Sequence, residues 1–472
     1  MEVHQIGTTL DPHRYVYKGL GGGSLATLVT QPDLVLPAQS DTPPERKVHV
    51  LVVTSAYWPE RTGTAPLNNE LCAYLASRGH RVSVVTGFPH YPEWKVYPGY
   101  RGKVWHRESH DGVDIYRGLI YVPPRRTTLR RVLYDTTVGI TGLVRSLPIG
   151  DVDVVLAVSP PLQGGLAGCM LAGLKRIPLI LDIHDLVPDL AIAVGMMKDG
   201  WAVKAARMLE KFVYRHSDRI VVISEEFSTN LFAKNVPQSK VTYLPLWVDS
   251  QTITPQDRNG PFRKANNIDS SKTVALYTGN HGAKQALENV LETAALLKSH
   301  DDLLFLFVGD GFEKKRLQEM AQQRSLTNVR FLPLVPATPK ELLPQMLAAG
   351  DMLLLNQSVR VVDTVIPSKL FTYMASGRPI IAAVNPSSQA ANCVRRADSG
   401  IAVEAERPAA LAEAILKLKH DRHMAEKLGS QGRRFVVEHC DRNRILRRYE
   451  DIFLAFANHR SPGSVPQSAN AG

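Results

Sequence analysis

Short apolar runs alternate with segments of helical periodicity along most of the chain. In the first half, apolar runs at 47–54, 81–86 and 152–158 are each followed by a helical pattern, and the alternation continues to about residue 245. Continuous apolar runs are typical of parallel strands that helices cover on both faces. The pattern therefore predicts a doubly wound α/β domain over 47–245.

A second series of the same kind follows a polar, proline-containing linker. Its predicted strands are 273–278, 303–309, 329–332, 352–355 and 379–382. These predict a second Rossmann-like domain over 259–440, a closing helix over 441–456, a disordered extension over 1–46 and a tail over 457–472. Two such halves with parallel sheets imply a cleft where the carboxyl ends of both sheets meet.

One stretch near the end of the second series, 365–382, is predicted as a loop, a short helix and a strand. Pro367 disfavours helical geometry before it, Ser368 is a favourable N-cap, and Gly377 fits the position after the helix. A helix start offers unpaired N–H groups and partial positive charge. Ser368, Lys369 and Leu370 are therefore predicted to bind a phosphate group.

Charge and composition narrow the function classes. The 472 residues carry a net charge of +11, and segment 88–131 is rich in both basic and aromatic side chains. Such a surface suits an anionic membrane or nucleic acid, or is an ordinary solvated loop region. Nucleic acid is disfavoured because no recognised binding motif accompanies the charge. The four cysteines are widely spaced and no signal-peptide pattern is present, which favours the cytoplasm.

Several common nucleotide motifs are missing from both halves. Neither G-x-G-x-x-G nor a Walker A sequence occurs. Because these motifs are the main evidence for a dinucleotide-binding or a P-loop domain, both kinds of domain are disfavoured. Asp151-Val-Asp153 matches the D-x-D of metal-dependent transferases by its letters alone. Because it begins a predicted buried strand, we interpret it as structural.

Six separated stretches nevertheless resemble one family. They are 86–94, 159–161 and 184–189 in the first half, and 278–288, 307–311 and the 365–382 segment in the second. Together they resemble a family 4 retaining GT-B glycosyltransferase over about 47–456. The first-half motifs are similar to the colanic-acid-type and N-acetylfucosamine-transferring branch of surface polysaccharide biosynthesis.

The resemblance implies a GT-B fold and a hexosyltransferase that needs no metal cofactor. It implies transfer, with retention, of a hexose or N-acetylated deoxyhexose from a nucleotide-diphosphate sugar (UDP favoured) to a lipid-linked or saccharide acceptor. It also implies peripheral contact with the cytoplasmic membrane leaflet and no nucleic-acid partner. The implied catalytic residues are His184, Asp185 and Lys284. The implied donor-binding residues are Gly63, Asn280, Lys284, Gly309, Asp310, Gly311, Asp363, Ser368, Lys369 and Leu370.

The chain departs from the family pattern at two glutamates that bind sugar and ribose hydroxyls. Thr364 and Thr372 stand at those places, and Asp363 is the predicted substitute acceptor. The departure leaves a degenerate, nucleotide-sugar-binding scaffold open as an alternative. A non-hydrolysing nucleotide-sugar epimerase is a further alternative, since it shares the two-domain architecture.

Overall fold

Two sheets covered by helices form the part of the chain that the structure describes. The computed structural model describes residues 46–125, 127–189, 192, 200–336, 340–359 and 367–458. The predicted extension and tail lie almost wholly outside these ranges. The predicted α/β class with two parallel-sheet domains is confirmed.

The first sheet and its helices contain the following elements: β1 (His49–Val53), α1 (Ala65–Ser77), β2 (Arg81–Gly87), β3 (Trp105–His110), β4 (Val113–Gly118), α2 (Thr128–Ser146), β5 (Val154–Ser159), α3 (Leu162–Lys175), β6 (Leu179–Ile183), α4 (Trp201–His216), β7 (Arg219–Val222), α5 (Glu225–Ala233) and β8 (Val241–Tyr243). The strand order is β3-β4-β2-β1-β5-β6-β7-β8, parallel except for the β3–β4 pair. Every residue of β1, β5 and β6 is buried, as their apolar sequences predict.

The second sheet is smaller and entirely parallel. Its elements are α6 (Pro261–Ala265), β9 (Thr273–Asn280), α7 (Glu288–Leu296), β10 (Leu303–Asp310), α8 (Lys314–Gln323), β11 (Val329–Leu332), α9 (Leu342–Ala348), β12 (Met352–Asn356), α10 (Ser368–Ala375), β13 (Ile380–Val384), α11 (Gln389–Arg396), β14 (Gly400–Glu404), α12 (Pro408–His420) and α13 (Arg422–His439). The strand order is β11-β10-β9-β12-β13-β14.

The last helix, α14 (Arg442–Asn458), crosses back to the first sheet. Its Leu446 and Phe453 are fully buried in the same apolar cluster as Val50 and Val52 of β1. At its far side Glu450 accepts hydrogen bonds from Arg78 (3.1 Å) and contacts His80 (2.9 Å). The C-terminal helix is therefore part of the first domain's core, and it carries side chains under the carboxyl edge of β6.

The basic, aromatic-rich segment 88–131 contains a folded hairpin, β3–β4. Arg117 of β4 is 1 % exposed, donates to the Gly87 carbonyl (3.1 Å) and to Glu108, and lies over the Tyr100 ring. The hairpin was missed because β3 is an edge strand in which every residue stays at least partly accessible, so it lacks an apolar run. The prediction that this segment's charges form one surface is thus wrong for Arg117.

None of the helices in the described ranges combines the length and the apolar content that crossing a bilayer would require.

Candidate active site in the cleft

A buried hydrogen-bonded row stands at the carboxyl end of β6. The His184 N–H donates to the Ser159 carbonyl (2.8 Å), and ring atom Nε2 lies 3.1 Å from Asp182 Oδ2. The other carboxylate oxygen, Oδ1, accepts from the hydroxyl of Tyr449 on α14 at 3.2 Å. The hydrogen bonds of the row Tyr449–Asp182–His184 fix the orientation of the imidazole, and all three side chains are buried.

This row also sets the charge of the imidazole. Burial disfavours the cationic form, but the carboxylates of Asp182 and Asp185 together outweigh it and raise the pKa of His184 above its usual value. Asp182 and Tyr449 are site residues that sequence reasoning missed. A signal for Asp182 existed, because a carboxylate inside a fully buried strand requires a partner.

Asp185 of the first half lies within electrostatic range of both His184 and Lys284, and Lys284 comes from the second half. Burial raises the pKa of the Asp185 carboxyl, and the positive charges of His184, Lys284 and Arg131 oppose that rise. Lys284 lies in a short turn, Ala283–Gln285, after β9, and its carbonyl accepts a hydrogen bond from Ser358 N–H (2.9 Å) beyond β12. The cleft therefore holds cations from both domains beside one carboxylate.

The predicted glycine positions form a crowded junction of two neighbouring strand ends, β9 and β10. Asp310 Oδ1 accepts from the Gly311 N–H (2.8 Å), and the Asp310 carbonyl accepts from the His281 N–H (2.7 Å). Gly311 has φ +155°, and a Cβ there would lie 2.4 Å from the His281 carbonyl oxygen and 2.6 Å from Asn280 Oδ1. Asn280, Gly309, Asp310 and Gly311 are thus brought together, with no room for side chains at the glycines.

Gly309→Ala is expected to lower the free energy of unfolding by about 1–3 kcal/mol, the usual cost of overpacking. The reason is that its Cβ would lie 1.9 Å from the Gly279 carbonyl oxygen, which is backbone and cannot rotate away. Denaturant unfolding measures the loss. Gly150→Ala is the matched control, since nothing lies within 4 Å of a Cβ at that position. Equal stabilities of the two variants would contradict the expectation.

Lys369 is half-buried and packs against the end of β9. Its Nζ lies 4.4 Å from the centre of the Tyr277 ring and donates to the Tyr277 hydroxyl (3.2 Å) and the Thr278 carbonyl (3.4 Å). Burial lowers the pKa of Lys369 to about 8. An anion bound at this edge of the sheet would therefore stabilise the charged, ammonium form of Lys369.

Two details of the predicted phosphate helix need correction. Pro367 occupies the N-cap position and Ser368 is the first helical residue, so no side chain caps α10. The Leu370 N–H donates to the Pro367 carbonyl (2.9 Å), so it is used within the first turn. Ser368 was misplaced because Pro367, with φ fixed near −60°, serves as the non-helical entry residue itself.

The predicted role of Lys369 as a phosphate ligand implies that added UDP, near pH 8, draws about 0.5 proton per site from solution, because an adjacent diphosphate favours the charged form of the lysine. Calorimetric titration in buffers of different ionisation enthalpy measures this uptake. Lys369→Arg is the control, since its guanidinium stays protonated and should show no uptake. A wild-type binding heat that does not vary with the buffer would contradict this role.

His281 is a further member of the site that the sequence did not single out. Its side chain is fully buried beside Tyr277 and Phe307, and within the described residues neither ring nitrogen has a hydrogen-bond partner. Burial, with the nearby charge of Lys314, lowers the pKa of His281 to about 4. The imidazole is therefore neutral at the base of the glycine junction.

The remaining predicted positions are those in the loop before α1, those near α10 and the D-x-D stretch. Gly63 lies in the exposed loop before α1 with φ +66°, which favours glycine. Asp363 and Thr364 lie outside the described residues, whereas Thr372 is half-buried within α10. In the D-x-D stretch, Asp153 accepts from the His49 N–H (2.7 Å) at the opposite edge of the sheet. Over the described ranges no cluster of three or more His, Cys, Asp or Glu could hold a metal ion.

Comparisons with known proteins agree with this architecture. Residues 62–247 match the family described as glycosyl transferase 4-like domain, and residues 259–435 match glycosyl transferases group 1. The putative colanic acid biosynthesis glycosyl transferase WcaI of Escherichia coli K12 is 30 % identical over 414 residues, which are 85 % of this chain and 98 % of that protein.

Two solved structures share the fold. Sucrose-phosphate synthase from Thermosynechococcus elongatus has a TM-score of 0.62 at 18 % identity, covering 87 % of this chain and 100 % of that one. Anabaena HepE in complex with UDP-glucose has a TM-score of 0.60 at 13 % identity, covering 86 % and 100 %. The chain belongs to the GT-B glycosyltransferases with a type 4-like first domain and a group 1 second domain, and it is similar to enzymes of surface polysaccharide biosynthesis.

Proposed function

We propose that the protein transfers a hexose or N-acetylated deoxyhexose, with retention, from a nucleotide-diphosphate sugar. The observation that carries the proposal is that the charge of Lys284, from the second domain, acts on Asp185 of the first, which follows His184 in the chain. A diphosphate leaving group gains negative charge as the bond to the sugar breaks, and preorganised cations stabilise that charge. Lys284 and Lys369 are the proposed diphosphate ligands, together with the N–H groups at the start of α10.

The proposed step keeps the acceptor on the face from which the diphosphate leaves. The C1–O bond breaks with its electron pair going to the β-phosphate oxygen, and the acceptor oxygen forms the new bond to C1. The acceptor proton passes to the departing phosphate oxygen, so no protein base is required. His184 then hydrogen-bonds a sugar hydroxyl, held in place by Asp182.

For the remaining donor contacts we propose that Gly63, Gly309 and Gly311 allow close backbone approach, and that Asn280, Asp310 and Asp363 bind hydroxyl groups. UDP is the proposed nucleotide, with support from the UDP-glucose that Anabaena HepE binds. A lipid-linked or saccharide acceptor is proposed from the likeness to the colanic acid transferase.

The test is incubation with a panel of UDP- and GDP-sugars, with and without a membrane lipid extract as acceptor source. We expect nucleotide diphosphate release that depends on the acceptor, and NMR of the product should show the donor's anomeric configuration. Nucleotide binding without turnover of any donor would favour the scaffold alternative. Donor conversion without any acceptor would favour an epimerase.

A further inference from the structure

The outward face of α2 is mainly apolar, and the charged residues of this helix are at most partly exposed. Its exposed residues share an apolar or threonine side chain and are Thr128, Leu129, Val132, Leu133, Thr136, Ile140 and Val144. Leu129 is 80 % exposed and Ile140 is 56 % exposed. A helix that covers a sheet in a soluble protein normally turns polar residues outward. Here the outward positions are apolar as well, and an exposed apolar face of this kind marks an interaction surface.

The opposite face of α2 is already used in packing. Tyr134, Val138 and Gly142 are buried toward the sheet and α3, and a Cβ at Gly139 would lie 2.8 Å from the Gln163 carbonyl oxygen of α3. The outward residues therefore take no part in the packing of the core. Their exposure does not result from a loosely packed helix.

The apolar surface continues along the edge of the hairpin. Trp105 is 51 % exposed, and the Arg145 guanidinium of α2 lies 4.9 Å from the centre of its ring. Leu119, which is also exposed, accepts a hydrogen bond from the Thr141 hydroxyl through its carbonyl (2.6 Å). An exposed tryptophan with an arginine over its ring suits the boundary between lipid headgroups and acyl chains.

Two neighbouring helices extend the surface and add positive charge. A Cβ at Gly165 of α3 would lie 2.8 Å from Val213 of α4, so these helices pack as closely as α2 and α3 do. The exposed apolar residues of α3 and α4 are Met170, Leu174, Trp201, Met208 and Phe212. The exposed cations of α4 are Lys204, Lys211 and Arg215. We call the exposed residues of α2, α3 and α4, with Trp105 and Leu119, the three-helix face.

No negative charge is exposed on these three helices. Their only acidic residues are Asp135 and Glu210. Asp135 accepts from Arg131 (2.9 Å), and the buried Glu210 pairs with Arg207 (3.2 Å) and Lys234 (2.5 Å). The net charge of the three-helix face is therefore positive, and complementary to anionic lipid.

We propose that the three-helix face docks onto an anionic lipid bilayer, with its apolar side chains entering the headgroup–acyl boundary. A second copy of the chain is disfavoured because Lys204, Lys211 and Arg215 would meet the same cations around a two-fold axis. Membrane docking is inferred from the exposed side chains alone. A role of this surface in delivering a lipid-linked acceptor rests on the proposed function. The amino end of α2 reaches the cleft, since the charge of Arg131 acts on Asp185.

The experiment is co-sedimentation of the full-length protein with vesicles of phosphatidylcholine, with and without added phosphatidylglycerol. Three cations near the surface predict a roughly hundredfold preference for the anionic vesicles at low salt. The double variant Leu133→Glu/Ile140→Glu should weaken binding to them by at least roughly tenfold. The control Leu296→Glu/Val437→Glu changes two exposed apolar residues of α7 and α13 and should bind as the wild type does.

Three results would overturn the proposal. They are absence of wild-type binding to anionic vesicles, equal weakening by the control pair, and size-exclusion chromatography showing a dimer that Leu133→Glu/Ile140→Glu dissociates. Thermal unfolding checks that both double variants are folded. Vesicle binding without sugar transfer would refute the proposed function alone, whereas transfer to a soluble acceptor without vesicle binding would refute the docking surface alone.

Discussion

Lys284→Ala is expected to slow sugar transfer by roughly a hundred- to thousandfold while the protein stays folded. Loss of one preorganised group that stabilises developing negative charge costs about 3–4 kcal/mol of barrier. The effect should fall mainly on kcat, because the charge on the diphosphate grows between the bound donor and the transition state. Steady-state assays with the preferred donor measure kcat and KM separately.

The matched control for Lys284 is Lys315→Ala. The Lys315 side chain is 90 % exposed on α8 of the same domain, so its loss removes an equal charge at the surface. Activity within a factor of two of wild type is expected there, because exposed charges are strongly screened. A Lys284→Ala enzyme with unchanged kcat would refute the proposed role of Lys284 in leaving-group stabilisation.

Asp182→Asn is expected to lower the pKa of His184 and to slow transfer by roughly ten- to hundredfold, because the imidazole that hydrogen-bonds the sugar hydroxyl loses its positive charge and its fixed orientation, and a hydrogen bond to a charged group contributes about 1.5–3 kcal/mol. The carboxylate raises the pKa of His184 in the wild type, so its neutral replacement removes the stabilisation of the imidazolium. NMR titration of the His184 ring measures the shift, with His184→Ala identifying the signal. An unchanged titration would contradict the proposed coupling.

The same substitution has a stability signature with a defined sign. Because the folded state raises the pKa of His184, this stabilisation is complete below the unfolded value of about 6.5 and is lost as pH rises through the folded pKa. The stability gap between wild type and Asp182→Asn should therefore be largest in mild acid and narrow at alkaline pH. Tyr449→Phe, which removes one hydrogen bond to the carboxylate, should cost only about 1 kcal/mol.

Prediction from sequence worked best where a local rule dominated. The strands β1, β5 and β12 were recognisable because they are buried on both faces and so need apolar residues throughout. Gly377 after α10 was recognisable because its φ of +72° suits glycine. The hairpin β3–β4 was missed because an edge strand carries no such pattern, and Ser368 was misassigned because Pro367 takes the capping position without a side-chain bond.

The sequence by itself determined the two α/β series, the family resemblance and the identity of His184, Asp185, Lys284 and Lys369 as candidates. Periodicity and motif letters are local properties, and they suffice for these inferences. Tertiary structure alone decided that Tyr449, 267 residues away, hydrogen-bonds Asp182, and that His281 is sealed between strand ends. It also decided that α2 turns a largely apolar side outward. These are contacts between distant segments, and hydrophobic spacing along one helix cannot say which of its faces the core will cover.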